Sequence, residues 1–307
     1  MRHRITIRYY LAQVTLTDPR VSVSVETSGA GVFSRSERNE EQTLARPIIT
    51  LTTDYGTGDH FVGVMKGVVL SINPEVNIVD ITHSVLAHDI LDGALTIGQA
   101  YKYFPPRTIH VVVVDPGVGT PRRPILVASD QHYFVAPDNG VLSSIYDQTE
   151  ALYGWHITSE HYFRNPVSST FHGRDIFAPV AAWLSKSWQT SSFGDPVSDF
   201  VRFSMPKPKA DGNTVRGAIL RVDNFGNLLT NVTPVDVPAL VAPDGKFTIR
   251  VGNGQINKIV ATFAQGTPGE LVGVIGSSGY LEISVNKGNA AHSLGAARGN
   301  EVTIELG

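Results

Sequence analysis

The sequence predicts an α/β protein: a doubly wound, mostly parallel sheet in the N-terminal part, then a small all-β, barrel-like domain. Three observations predict it. Strand-like and helix-like segments alternate as β-α-β-α-β between residues 48 and 114. Each of those strands runs into polar residues at its C-terminal end. After Ser204 the composition shifts to short strands separated by glycine turns.

The expected organisation follows: an extension over 1–46, an α/β domain over 47–204, a linker over 205–214 and a β domain over 215–307. Within the extension, 5–16 alternates as a strand does. Residues 26–43 are rich in Ser, Gly, Glu and Arg and are expected to be disordered, with no functional role. Arg2, His3 and Arg4 are not followed by an apolar run, so the start does not read as a secretory signal.

The first strand, 48–52, is β-rich and ends in Thr53-Asp54-Tyr55-Gly56. Phe61, Val64, Met65, Val68, Val69 and Ile72 then recur at helical spacing, and Asn73-Pro74 stops that helix. Residues 76–81 form the next strand and lead into Thr82-His83. A second helix is expected over 90–104, stopped by Pro105-Pro106.

The strand at 109–114 carries four consecutive valines, the mark of a strand buried on both faces. It ends at Asp115, followed by Pro116-Gly117, Gly119 and then Arg122 and Arg123. A carboxylate at the end of a central strand, a glycine loop and arginines occur where open α/β sheets place ligand chemistry. The same residues also suit a plain tight turn with solvated arginines, and the stretch alone leaves both readings open.

Residues 125–128 and 132–136 flank Ser129-Asp130-Gln131 as a hairpin. Pro137-Asp138-Asn139-Gly140 is a turn, and 141–145 starts a short helix. His172 lies in a loop ahead of a helix at 176–184, which Ser169 or Thr170 could cap and which carries Pro179 in its first turn. Strands are expected at 215–222, 246–251, 258–262, 271–275, 281–285 and 301–306. Three polar, glycine-rich loops lie between them, at 223–227, 276–280 and 286–291.

Composition excludes several classes. The 307 residues carry a formal net charge of −3, which gives no reason to expect nucleic acid or an anionic membrane as partner. The 17% charged content is low and hints at an oligomer. No cysteine is present, so disulfides, thiol nucleophiles and thiolate metal sites are ruled out. No apolar run approaches the roughly 20 residues of a membrane span. The His and Asp residues form no HxxxH or HExxH pattern, so no catalytic metal is expected.

Taken together, TTDYG, NPEVNIVDITH, VVDPGVGTPRR, VAPDNG, FHGRDIFAP, DNFGN and SSGYLEISVNKGNAA, in this order, resemble the S-adenosyl-L-methionine (SAM) hydroxide adenosyltransferases. These adenosine-forming SAM hydrolases belong to the wider group that includes the SAM-dependent chlorinase and fluorinase. The resemblance implies the two-domain fold above and a cytoplasmic homotrimer. It places SAM between the N-terminal domain of one subunit and the C-terminal domain of the next. SAM is then substrate, adenosine is a product, and no cofactor is implied.

The resemblance also implies roles. Asp115, Arg122 and His172 match the set that marks the hydrolases, with His172 and Asp115 as a general-base pair and Arg122 stabilising hydroxide character. Asp54 matches a carboxylate that accepts both ribose hydroxyls. Asp223 and Asn227 match positions near the methionine ammonium and carboxylate, and Ser277 and Ser278 a pair near that carboxylate. Some relatives carry Arg where this chain has Ser278. Ala290 matches a position whose backbone reads adenine, and Phe225 is expected to pack on the ligand. Two other functions stay open at this point: a chlorinase on the same scaffold, and a SAM- or adenosine-binding sensor with little turnover.

Overall fold

A computed structural model describes residues 46–307 except Trp188. The expected extension, apart from Arg46, lies outside the described residues.

The first layer is built on β1 (Ile48–Thr53), α1 (Phe61–Ile72), β2 (Asn77–Thr82), α2 (Ile90–Ala100) and β3 (Ile109–Val113). It continues through β4 (Pro124–Ala128), β5 (Tyr133–Pro137), α3 (Ser143–Gln148), β6 (Tyr153–Ile157), α4 (Ala178–Leu184) and β7 (Gly194–Val197). The strands form one sheet in the order β2-β1-β3-β5-β4-β6-β7. The first four run parallel, and β4, β6 and β7 extend the sheet antiparallel.

The valine run explains why the sheet is covered twice. Val111 and Val113 pack with Met65 and Val69 of α1 and with Val180 and Ala181 of α4. Val112 and Val114 pack on the other face with Ile97 of α2 and with Leu142 and Ile145 at α3. Alternate residues of one strand thus serve two cores, as the pleat requires. Buried side chains of this size each contribute about 1.5–3 kcal/mol.

The second layer comprises β8 (Lys209–Asp211), β9 (Thr214–Val222), β10 (Leu228–Thr230), β11 (Phe247–Val251) and β12 (Gly254–Ile256). β13 (Ile259–Val260), β14 (Leu271–Ile275), β15 (Leu281–Val285), α5 (Ala290–Leu294) and β16 (Glu301–Leu306) complete it. Its strand order is β12-β11-β16-β9-β10-β15-β14-β13, with β8 on β9. The sheet curls into a half-barrel whose strand β12 comes back against β14. It encloses its own core of Ile219, Leu228, Ile249, Ile283 and Ile304. Two arginines tie the layers: Arg298 pairs with Asp89, the N-cap of α2, and Arg221 Nη1 donates to Thr96 Oγ1 at 3.0 Å.

The structure departs from the sequence reading in several places. The expected linker ends in β8, which pairs with β9. The second helix changes at Ala100 into a 3₁₀ turn over Tyr101–Tyr103. The short helix lies at Ser143–Gln148, shifted from 141–145. Neither Ser169 nor Thr170 caps the last helix of the sheet layer; a π-helical turn, Gly173–Phe177, feeds straight into α4. The loop expected at 286–291 runs into α5, whose N-cap Asn289 accepts from His292 N.

Candidate active site

The parallel strands deliver their C-terminal ends to one edge of the sheet. Asp54 follows β1, His83 follows β2 and Asp115 follows β3. Gly119 has a left-handed φ of 78°, and a Cβ there would overlap Ser169 O. The 116–121 loop can therefore lie directly on the segment that carries His172.

This docking unites three of the predicted residues. Arg122 Nε donates to Asp115 Oδ1 at 2.9 Å, and Arg122 Nη2 contacts Asp115 Oδ2 in a bidentate pair. The same Nη2 donates to His172 Nδ1 at 2.8 Å. The Arg122 and Asp115 side chains are only 9% and 4% exposed. The guanidinium lies over the Phe177 ring at 5.3 Å. Its remaining group, Nη1, is buried and has no hydrogen-bond partner among the described residues. A buried, unpartnered cationic donor is costly unless something occupies it in the working state.

The expected pairing of Asp115 with His172 is corrected here: Arg122 stands between them. Arginine only donates, so His172 Nδ1 must accept with its lone pair. The neutral ring then carries its proton on Nε2. Burial and the Arg122 charge both push the His172 pKa below its ordinary value. The tautomer is thus set by Arg122, not by Asp115. The neighbouring Arg123 turns away to Asp138 and Asp199.

Asp54 is held by one oxygen, Oδ2, which accepts from His88 N at 2.8 Å. Beside it stands a residue that sequence reasoning did not assign. The Tyr55 hydroxyl lies over Gly173, where a Cβ would be 2.6 Å away. Burial and the charges of Asp54 and Asp115 raise the Tyr55 pKa, so the phenol keeps its proton. Its ring meets Phe61 and Phe171. The turn bearing Asp54 and Tyr55 is latched from below: Thr53 Oγ1 bonds His83 Nδ1 at 2.9 Å, and Gly56 N donates to His83 O. The TTDYG motif was the available signal for Tyr55. Its approach to Gly173 is tertiary.

The remaining predicted residues lie elsewhere. Asp223, Asn227, Ser277 and Ser278 line a cleft of about 780 Å³, with Gln99 and Lys102 on its other wall. Asp223 closes its own turn by accepting from Phe225 N, Asn227 N and Asn227 Nδ2, each at 2.8 Å. Phe225 stands 75% exposed. Its loop docks on α5, where Ala291 N donates to Gly226 O, and this brings Phe225 and the buried Ala290 to one rim. None of Asp54, Asp115, Arg122 or His172 lines the cleft. One chain therefore holds two separate sets of predicted residues. Among the described residues, no three His, Asp or Glu side chains gather as metal ligands, and no helix is long and apolar enough to cross a membrane.

Comparison with known proteins identifies the family. The N-terminal domain model of the SAM hydroxide adenosyltransferases matches residues 49–194, and the C-terminal domain model matches 217–303. The (R)-S-adenosyl-L-methionine hydrolase of Salinispora tropica is 38% identical over 269 residues, covering 85% of this chain and 98% of that one. That of Thermus thermophilus is 32% identical, covering 84% and 99%. A fluorinase of an Actinoplanes species is more distant, 28% identical with 84% and 97% covered. A solved structure of an uncharacterized conserved protein from Thermotoga maritima superposes with a TM-score of 0.78 at 37% identity, covering 83% of this chain and 99% of that one. With both domain models matched in order around the Asp115, Arg122 and His172 cluster, the chain belongs to the SAM hydroxide adenosyltransferase family.

Proposed function

We propose that this protein hydrolyses SAM to adenosine and L-methionine, and that it takes the (R) configuration at the sulfonium, as the named hydrolase relatives do. Water attacks ribose C5′, the C5′–S bond breaks and its electron pair stays on sulfur. Methionine leaves as a neutral thioether, so the leaving group needs no acid. The protein must place one water in line with the C5′–S bond and make it hydroxide-like.

The observation that carries this reading is the unpartnered, buried Nη1 of Arg122 beside a tautomer-fixed His172. Arg122 Nη1 and the His172 Nε2–H are two donors that stabilise negative charge on the attacking oxygen. Asp115 keeps lone pairs beyond those that Arg122 uses and is the acceptor this geometry leaves for the proton. Asp54 offers its second oxygen to the ribose hydroxyls. Asp223, Asn227, Ser277 and Ser278 hold the methionine end, and Phe225 and Ala290 the adenine. Because these sets lie apart in one chain, we assign the complete site to the junction of two subunits of a homotrimer. We place the enzyme in the cytoplasm, where SAM is made.

The test is a chromatographic product assay with each sulfonium epimer, with and without chloride, on the wild type and His172→Ala. Adenosine and methionine from the (R) epimer, independent of chloride and lost in the variant, support the proposal. A 5′-chloronucleoside would assign a halogenase. SAM binding without product would assign a sensor.

A further inference from the structure

Asp54 is held by a loop that the sequence motifs left without a role. Between β2 and α2 the chain passes through Leu86 and His88, and His88 N donates to Asp54 Oδ2 at 2.8 Å. Aiming that N–H costs strain: His88 has a left-handed φ of 64°, uncommon outside glycine. A strained residue persists where its surroundings over-determine it, and here both flanks of His88 are bonded. Leu86 N donates to Asp92 Oδ2 at 3.0 Å, and Asp89 N to Leu86 O at 3.0 Å. Asp89 also caps α2, accepting from Asp92 N at 2.9 Å.

Both carboxylates that frame this loop are met by arginines of the half-barrel layer. Arg298 reaches Asp89 with two nitrogens, Nη2 on Oδ1 at 3.0 Å and Nη1 on Oδ2. Arg221 Nε lies 3.4 Å from Asp92 Oδ1. The turn that presents Arg298 is itself fastened to β9: Gly299 N donates to Ile219 O at 2.8 Å, and Ile219 N to Asn300 O at 2.9 Å. A two-pronged guanidinium–carboxylate pair fixes direction as well as distance. Partly exposed as it is, the pair adds little stability, so what it supplies is geometry. Arg298, Asp89, His88 and Asp54 form a run of bonded neighbours from the half-barrel to the sheet edge.

We propose that Arg298 is a positioning residue for Asp54: by gripping Asp89 it keeps the His88 N–H on Oδ2 and leaves Oδ1 turned to the ribose hydroxyls. This rests on the function proposed above, in which Asp54 takes those hydroxyls, and assigns what holds the carboxylate ready.

The test is calorimetric binding of adenosine and 2′,3′-dideoxyadenosine to the full chain. The proteins are the wild type, Asp54→Asn, Arg298→Gln, Arg298→Lys and Asp89→Asn. Asparagine at 89 still caps α2 but gives up the charge that Arg298 grips, and this variant serves if Arg298→Gln fails to fold. The wild type should prefer adenosine by about 10- to 100-fold, the range of a charge-assisted hydrogen bond. Arg298→Gln and Asp89→Asn should each cut that preference about fivefold and leave dideoxyadenosine binding unchanged. Arg298→Lys should restore part of it, and Arg298→Gln should change nothing further in an Asp54→Asn background. A tie that only joined the two layers would weaken both ligands alike, or lower the melting temperature with the preference kept; either result overturns the assignment. A wild type without the preference defeats the ribose role of Asp54 and, with it, that of Arg298. A protein that shows every expected change but releases no adenosine from SAM defeats the hydrolase reading and leaves Arg298 in place.

Discussion

Arg122 Nη2 donates to His172 Nδ1 at 2.8 Å, across fifty residues of sequence, while the same guanidinium grips Asp115. This bond is compatible only with neutral imidazole, because a protonated ring has no lone pair to accept with. The histidine is therefore held as a donor through Nε2 and arginine is its orienting partner.

The first prediction concerns pH. The active form has neutral His172, whose pKa is pushed below the ordinary 6.5 by burial and by Arg122. Activity should be flat above that value and fall as acid is added through a midpoint below 6.5. Nitrogen-15 NMR of the imidazole should show the Nε2–H tautomer at neutral pH. Arg122→Gln removes the cation and should move the histidine's midpoint up. A midpoint unmoved in that variant would remove Arg122 from control of the ring. His172→Ala should cut turnover by roughly 10²- to 10⁴-fold and leave SAM binding in place.

Tyr55 supplies the second prediction. Its hydroxyl lies over Gly173 and keeps its proton, because burial and the charges of Asp54 and Asp115 raise its pKa. Removing one such donor should lower turnover about tenfold in Tyr55→Phe, with KM and melting temperature unchanged. Gly173→Ala puts a methyl 2.6 Å from that hydroxyl and should cost about 1–3 kcal/mol of stability. Steady-state kinetics and calorimetry check the two. Full activity in Tyr55→Phe would make the phenol a packing residue.

The legible parts of the fold were those with enough residues to show a period. Twelve residues of α1 carry the helical spacing, and the valines of β3 announce a strand covered on both sides. The elements that escaped are short. β10 has three residues and α5 has five, too few for any repeat, and α5 is held by its Asn289 cap. β8 hid in a Pro- and Gly-bearing stretch because an edge strand with every residue exposed has no apolar alternation to show. In the site, residue types were readable and partners were not. Arg122 and Arg123 are adjacent and look equivalent, yet one turns to Asp115 and the other to Asp138 and Asp199. Only tertiary packing separates them.

A third prediction concerns stability in acid. His110 is buried on β3, its Nδ1 2.7 Å from Thr50 Oγ1 and its ring stacked on Phe134. Burial and the nearby His132 push its pKa down to about 3, against 6.5 in the unfolded chain. Between those values the unfolded state binds the extra proton, so stability is full above pH 6.5 and declines as pH falls toward 3. The decline amounts to about 5 kcal/mol at the most. Urea unfolding at pH 7, 5.5 and 4.5 should show it, and His110→Gln should flatten the slope. An equal slope in the variant would assign the acid sensitivity to other groups.

The last prediction tests whether the two separated residue sets meet across subunits. His172→Ala damages the set at the sheet edge and spares the cleft. Asp223→Ala damages the cleft and spares the sheet edge. If each site joins the sheet edge of one subunit to the cleft of the next, a mixed trimer contains junctions in which both halves are native. Random co-assembly of the two inactive chains in equal amounts makes about one junction in four fully native, so about a quarter of wild-type activity should return. If each site lies within one chain, every site in the mixture carries one lesion and no activity returns. Co-expression with two affinity tags isolates the mixed species, and the adenosine assay reads it. Each isolated mixed trimer holds one native junction in three, so recovery near one third in that species fixes the site at the junction, whereas an inactive mixture of verified mixed trimers would return both residue sets to a single subunit.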